Sequence, residues 1–229
     1  QATAGGNDNV AVGAYSLQNN VASGNTGVGR NAGRALTTGN SNVALGYDAL
    51  YTATTSSYNT ALGHSTLRVN TTGAQGVAVG YRALIANTTG TQNTAVGCDA
   101  MYTNTTGTLN TAVGMMALYT NNADHNVAVG YQTMLLNTTG SYNTAVGSYA
   151  LDANTTASSN TAVGYVALTT NTTGANNVAV GANSLQPNTT GSANTAIGKG
   201  ALASNETADN NTAVGTDAMV SNTTGAYNT

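Results

Sequence analysis

Small and branched apolar residues recur along this chain in a fixed order, with a period of 17 residues that shortens to 16 at two steps. Each repeat begins with the pentad Asn-Thr/Val-Ala-Val-Gly, places Leu or Met four residues after its glycine, and usually continues into Asn-Thr-Thr-Gly. So short and regular a period is typical of a solenoid of stacked coils. We therefore predict one repeat array over residues 9–229, uncapped at its C-terminal end, after a lead-in at residues 1–8. The pentad glycines are residues 13, 29, 46, 63, 80, 97, 114, 130, 147, 164, 181, 198 and 215.

One coil, numbered from the pentad asparagine as position 1, is predicted to contain two strands and two turns. Positions 1–4 alternate small and β-branched residues, which favours a strand. The invariant glycine at position 5 indicates a positive φ or a very close backbone approach. Positions 7–10 are expected to form a second strand, and Asn-Thr-Thr-Gly a turn. The predicted fold is an all-β β-solenoid (β-roll) of about 13 coils, since helix is disfavoured by the frequent Gly, Asn and Thr.

The core is expected to consist of the residue at position 4 and the Leu or Met at position 9. The members that we assign to it are Val79, Val96, Val113, Val129, Val146, Val163, Leu84, Leu118, Leu151 and Leu168. The free energy gained by burying two or three apolar side chains per coil is small compared with the conformational entropy lost when the whole coil is ordered. We therefore expect further apolar surface to be buried.

Position 3 points to the opposite side of the strand and is only Ala or Gly. A site so restricted in size is closely packed, and we predict that it contacts another chain. The alternative orientation places this alanine inside the roll and positions 2 and 4 outside. The predicted inter-chain residues are Ala44, Ala61, Ala78, Ala95, Ala112, Ala128, Ala145, Ala162, Ala179, Ala196 and Ala213.

Asparagine at positions 1 and 12 would stack in columns, where its side-chain amides can hydrogen-bond from coil to coil. The asparagines at position 12 also lie in Asn-x-Thr sequons, so glycosylation is an alternative use for them. The sequon asparagines at that position are Asn70, Asn87, Asn104, Asn137, Asn154, Asn171, Asn188, Asn205 and Asn222.

Tyrosine is confined to the variable positions of the coil, which are expected to form solvent-facing edges. Exposed tyrosines can contact glycans or proteins, although isolated ones also simply fill gaps between coils. The tyrosines predicted as possible surface contacts are Tyr47, Tyr81, Tyr102, Tyr119 and Tyr165.

Composition argues against several functions. Only 6% of residues are charged and the net charge is −3, so no nucleic-acid partner is expected. No apolar segment is long enough to cross a membrane. His64 and His125 occupy unrelated repeat positions, the acidic residues are scattered through the array, and Cys98 is a lone thiol at a variable position. We therefore expect no catalytic set, no metal and no cofactor, and predict that the protein is not an enzyme.

The segments Asn126–Met134 (NVAVGYQTM) and Asn137–Gly147 (NTTGSYNTAVG) resemble the YadA-like head repeats of trimeric autotransporter adhesins and, more closely, repeats of bacterial and phage tail-fibre-domain proteins. The resemblance covers nearly the whole chain, although the repeats here are longer in the Asn-Thr-Thr-Gly region. It implies a left-handed β-roll, three chains around a common axis, and a location outside the cell or on a virion.

From the repeat and this resemblance we predict a structural or adhesive extracellular fibre segment that spans distance and presents a repetitive surface. Its partners would be copies of itself, as a homotrimer, and surface glycans or proteins. The first alternative is a filament subunit that stacks end to end. The second is an ice-binding β-solenoid, although Thr-x-Thr at positions 11–13 occurs only at Thr52/Thr54, Thr103/Thr105 and Thr170/Thr172.

Overall fold

The computed structural model describes residues 6–229, so residues 1–5 of the predicted lead-in lie outside the described part. It divides into two compact units, unit 1 ending at Met115 and unit 2 spanning Met116–Thr229. The described residues are all-β, with thirteen strands of three residues each and no helix. The strands are β1 Val10–Val12, β2 Thr26–Val28, β3 Val43–Leu45, β4 Thr60–Leu62, β5 Val77–Val79, β6 Thr94–Val96, β7 Thr111–Val113, β8 Val127–Val129, β9 Thr144–Val146, β10 Thr161–Val163, β11 Val178–Val180, β12 Thr195–Ile197 and β13 Thr212–Val214.

Strands within each unit pair in parallel and in chain order, β1 to β7 in unit 1 and β8 to β13 in unit 2. The register places every residue opposite its counterpart in the next coil, as Ala95 opposite Ala112 and Val96 opposite Val113. The predicted β-solenoid with a 17-residue repeat is therefore confirmed. Within residues 6–229 we find no helix with the length and apolar character needed to cross a membrane.

The pentad glycine is required for two independent reasons. Gly97 has φ +140°, a conformation that L side chains rarely adopt. A Cβ atom built on it would also lie 2.4 Å from the backbone oxygen of Gly114 in the next coil. Both the positive φ and the close approach predicted for this position are confirmed.

The predicted second strand at positions 7–10 is wrong, because the chain forms turns there and each coil has a single strand. Positions 7 and 9 adopt left-handed backbone conformations, as in Asp99 (φ 56°) and Met101 (φ 49°). A left-handed residue every second position bends the chain back on itself, whereas a strand needs extended φ values throughout. The leucines at position 9 share this conformation, which is unfavourable for a bulky side chain and is held here by packing.

The predicted orientation of the strand is wrong, and the alternative orientation is the observed one. Position 3 points into the roll, where the alanines from Ala44 to Ala213 are at most 2% exposed in the single chain and only Ala11, in the first coil, is half-buried. These residues are therefore core rather than inter-chain contacts: Ala44, Ala61, Ala78, Ala95, Ala112, Ala128, Ala145, Ala162, Ala179, Ala196 and Ala213. Position 4 points outward and is only half-buried or exposed: Val79, Val96, Val113, Val129, Val146 and Val163 are not core residues.

The narrow interior explains this orientation. Position 3 faces the opposite wall of the coil, which the residues at positions 8 and 9 occupy. Gly27 shows the limit, since a Cβ atom there would lie 2.5 Å from Oγ of Ser16, at position 8, and 2.9 Å from Cγ of Leu17, at position 9. A valine at position 3 would not fit without moving that wall. The leucines predicted as core are confirmed, since Leu84, Leu118, Leu151 and Leu168 are all fully buried.

Two columns of buried asparagine run through the interior of each unit. At position 1, Oδ1 of Asn42 accepts hydrogen bonds from the backbone N–H of Asn59 (2.9 Å) and from its Nδ2 (3.2 Å). At position 12, Nδ2 of Asn87 donates to Oδ1 of Asn70 (2.9 Å) and to the oxygen of Gly90 (3.0 Å). The predicted hydrogen bonding along the columns is therefore confirmed.

The glycosylation alternative is wrong for the folded coils, because Nδ2, the atom that would carry the sugar, points inward and donates hydrogen bonds. At most 2% of the residue is exposed for Asn70, Asn87, Asn104, Asn137, Asn154, Asn171, Asn188 and Asn205. Asn222 is half-buried, and its Nδ2 likewise donates to Asn205 and Gly225.

Candidate functional site

The outer face of the parallel sheet is one candidate interaction surface. It presents two columns, with Thr or Val at position 2 and Val, Leu or Ile at position 4. In unit 1, Leu45 is 41% and Val113 37% exposed, and in unit 2, Ile197 is 40% and Val146 37% exposed. In-register pairing aligns these side chains from coil to coil, so each unit carries a regular, partly apolar strip. We call this surface the outer sheet face.

A second surface lies at coil positions 6, 7 and 10, where the predicted tyrosines are found. Tyr47, Tyr81 and Tyr165 are exposed, as predicted, and Tyr102 and Tyr119 are half-buried. In unit 1 the rings are stacked along the coils rather than isolated. The His64 ring lies 5.0 Å from the Tyr47 ring, with 20° between the ring planes, and 5.5 Å from the Tyr81 ring.

Arginines cover the faces of these tyrosines. The guanidinium carbon of Arg30 lies 5.8 Å from the Tyr47 ring centre, and that of Arg82 lies 4.7 Å from Tyr81 and 4.9 Å from Tyr102. Cation–π contacts of this kind hold both partners in place.

A similar arrangement is found at positions 7 and 10. Arg34 lies 5.2 Å from the Tyr15 ring and 5.7 Å from Tyr51, and Arg68 lies 5.4 Å from Tyr51. We call Arg30, Arg34, Arg68 and Arg82, with His64 and the tyrosines that they cover, the arginine–tyrosine face.

Two of the four arginines are neutralised by buried carboxylates. Arg82 binds Asp99 through two hydrogen bonds of 2.8 Å, and this pairing raises the pKa of the guanidinium above its usual value. Arg68 Nε lies 3.3 Å from Asp48 Oδ2. Among the described residues, no carboxylate lies within ion-pair distance of Arg30 or Arg34. The arginine–tyrosine face therefore has a positive excess at its Arg30–Arg34 end.

Unit 2 has rings at these positions but no arginine. Tyr149 packs edge-on against Tyr131 at 5.3 Å and against Tyr165 at 6.4 Å. The pKa of the Tyr149 hydroxyl is raised, chiefly by burial and secondly by the neighbouring Tyr131. Contact between the arginines and the rings does not follow from the sequence alone, because positions 6, 7 and 10 come together only when the turn folds. Aligning the arginines by coil position was the one signal that could have revealed the clustering.

The residues considered for catalysis lie apart from one another. His64 is stacked between tyrosines, and His125 stacks on Tyr142 at 5.0 Å. Cys98 is half-buried, and burial, with Asp99 nearby, raises the pKa of its thiol. Within residues 6–229 no three His, Cys, Asp or Glu side chains converge as metal ligands. That the protein is not an enzyme stays a prediction.

Comparison with protein-family models, with curated proteins and with solved structures gives no match to this chain. The YadA-like resemblance therefore stays a prediction.

Proposed function

We propose that this chain is a segment of an extracellular fibre whose copies associate side by side through the outer sheet face. The fibre would span distance and present a repetitive adhesive surface. Three copies is the number that the YadA-like resemblance implies. The observation that carries the proposal is the outer sheet face itself, a strip of branched apolar side chains left exposed although the interior of the roll is already filled.

The composition of the two sides of the strand supports association. The inner side is completed within one chain by alanine, leucine and hydrogen-bonded asparagine, so it needs no partner. The outer side exposes apolar residues at position 4 in coil after coil. Seven strands separated by six intervals of about 4.8 Å give unit 1 a strip roughly 29 Å long. Aligned apolar strips of this kind mark protein–protein interfaces.

The energy available from this surface is substantial. Fully burying an exposed valine or leucine side chain contributes about 1.5–3 kcal/mol. The side chains at position 4 are already partly covered, so each would contribute a fraction of that amount. Multiplied over the strands of a unit, the gain is of the same order as the cost of association, which is roughly 4–15 kcal/mol.

Charged substitutions on the outer sheet face test the proposal. We expect Val79→Lys with Val113→Lys to convert the oligomer into monomers, because both ammonium groups would be placed in the interface. The matched control is Thr72→Lys with Thr106→Lys, which adds the same charges at the same spacing on exposed threonines of the position-14 turn. Mass from light scattering after size exclusion, with circular dichroism to check folding, is the measurement. A wild-type chain that is monomeric at high micromolar concentration would overturn the proposal.

Two alternatives make different predictions for the same material. End-to-end stacking into a filament would give long fibres in electron micrographs, whereas side-by-side association gives particles of fixed mass.

One observation favours ice binding: the Thr and Val side chains at position 2 point outward and form a regular column on the sheet. It requires that face to be open to water. Thermal hysteresis in the wild-type protein, lost in the Val79→Lys, Val113→Lys variant, together with a monomeric mass, would support it over the fibre.

A further inference from the structure

We infer that the arginine–tyrosine face of unit 1 is a binding site for a linear anionic polysaccharide, one that carries sulfate or carboxylate groups. The inference deepens the proposed adhesive role, on which the choice of an extracellular polymer rests. The arginine–tyrosine face lies at coil positions 6, 7 and 10, whereas the outer sheet face lies at positions 2 and 4. Each surface can therefore be altered by substitutions that leave the other unchanged.

The distribution of charge is the first observation. All four arginines of the chain lie in unit 1 and contact the rings of this one face, whereas five of the eight acidic residues lie in unit 2. Asp48 and Asp99 neutralise Arg68 and Arg82, and both carboxylates are buried. Arg30 and Arg34 have no such partner among the described residues, so an anion that contacts them displaces no existing ion pair.

The rigidity of the face is the second observation. Arg34 donates from Nε to Oε1 of Gln18 and from Nη1 to the hydroxyl of Tyr51, both at 3.1 Å. Its guanidinium is thereby held between the Tyr15 and Tyr51 rings. A positioned guanidinium binds carboxylate or sulfate oxygens with little further loss of side-chain entropy.

The stacking indicates which polymer suits the face. Tyr47 has Arg30 on one side of the ring and His64 stacked beside it, while Tyr81 lies between His64 and Arg82. Ring faces occupied in this way are not available to stack nucleobases, which is how single-stranded nucleic acids bind aromatic surfaces. Tyr47 and Tyr81 are nevertheless 42% and 47% exposed, and the polar groups that the face offers are phenolic hydroxyls and guanidinium groups. These suit the hydroxyl and anionic groups of a charged sugar chain.

The geometry also favours a linear ligand. The column at position 6 advances one coil at a time, by about 4.8 Å per step. A polymer lying along it would contact Arg30 and then the edges of Tyr47, His64 and Tyr81 in succession.

Binding of dextran sulfate, measured by isothermal titration calorimetry, tests the inference. We expect binding to the wild-type chain that weakens as salt increases, and no binding of uncharged dextran of equal length. Arg30→Gln should weaken binding about fivefold, and Arg30→Gln with Arg34→Gln about twentyfold or more. Lys199→Gln is the matched control, because it removes one exposed cation from unit 2 and leaves the same net charge as Arg30→Gln. Its affinity should change less than about twofold.

Several results would overturn the inference. These are no binding of dextran sulfate at micromolar concentration, equal losses in Arg30→Gln and Lys199→Gln, and an oligothymidylate that binds as tightly as dextran sulfate. The oligomeric state of the wild-type chain, measured beside its binding of dextran sulfate, separates the two proposals. If the wild-type chain is monomeric yet binds dextran sulfate through Arg30, the fibre proposal fails and this one stands. If the wild type is oligomeric but does not bind, the reverse holds.

Discussion

Gly76 interrupts the position-1 asparagine column and offers a direct test of how much that column stabilises the fold. The backbone N–H of Gly76 still donates to Oδ1 of Asn59 at 2.9 Å. Gly76 has no side-chain oxygen that could accept a hydrogen bond from the backbone N–H of Asn93 in the next coil. That N–H has no acceptor within the described part of the chain. One coil further on, the link is restored, since the N–H of Asn110 donates to Oδ1 of Asn93 at 3.0 Å.

Replacing Gly76 with asparagine should close this gap. A Cβ atom there would lie 3.1 Å from Asn59 Oδ1, 3.7 Å from Leu67 Cδ1 and 3.9 Å from the oxygen of Asn93, and the backbone is outside the left-handed region. By analogy with Asn59, whose Nδ2 bonds Oδ1 of Asn42 and the oxygen of Gly73, the new amide would make the same two bonds one coil further on. Its Oδ1 would in addition accept from Asn93.

The expected gain can be estimated. Hydrogen bonds contribute about 0.5–1.5 kcal/mol net each, and pairing a buried orphan N–H removes a cost of about 1–3 kcal/mol. Ordering the asparagine side chain offsets part of this. Loss of glycine freedom in the unfolded chain adds about 0.4–1 kcal/mol, which Gly76→Ala would gain as well. We therefore expect Gly76→Asn to be more stable than Gly76→Ala by about 1–2 kcal/mol.

Chemical denaturation of wild type, Gly76→Ala and Gly76→Asn provides the comparison, with hydrogen exchange at the Asn93 amide as the local readout. Repeat arrays can unfold in parts, so the local measurement is the more decisive one. We expect the backbone amide of Asn93 to exchange more slowly in Gly76→Asn than in the wild type. In Gly76→Ala, which adds no acceptor for this amide, we expect its exchange to slow no more than that of neighbouring amides. If Gly76→Asn is no more stable than Gly76→Ala and Asn93 is no better protected, the column does not stabilise the fold as argued.

Two further predictions concern the turn glycine and a half-buried acid. Gly97→Ala should destabilise more than Gly215→Ala: both have φ of at least +130°, but a Cβ atom at Gly97 meets the Gly114 oxygen at 2.4 Å whereas at Gly215 it meets only Ala218 Cβ at 3.8 Å. Equal losses in urea denaturation would show that strain, not the clash, sets the cost. Burial raises the pKa of Asp152 despite the hydrogen bond from Thr169, so its contribution to stability falls as pH rises above the usual aspartate range. Asp152→Asn should therefore gain stability relative to wild type at pH 7 compared with pH 3, and an equal difference at both pH values would contradict this.

The sequence determined the solenoid because identical coils can bury their apolar residues and pair their backbones only by stacking in register. It also determined the features that depend on local chemistry at an invariant position. Gly97 and its equivalents adopt a positive φ that favours glycine, each column asparagine pairs with the asparagine of the next coil, and Leu84 and its equivalents are the large buried apolar side chains of the coil.

Only the tertiary structure decided which side of the strand faces inward. A three-residue strand such as Thr94–Val96 alternates symmetrically, and hydrophobicity by itself favours valine inside. The width of the interior overrides it: the opposite wall, formed by a turn with left-handed residues at positions 7 and 9, leaves space for Ala95 and not for Val96. That turn was itself unpredictable, because a leucine in the left-handed region contradicts its intrinsic preference and is held there by the packed coil. The same turn brings positions 6, 7 and 10 together, so the contact of arginines with tyrosines is a property of the fold and not of any local sequence.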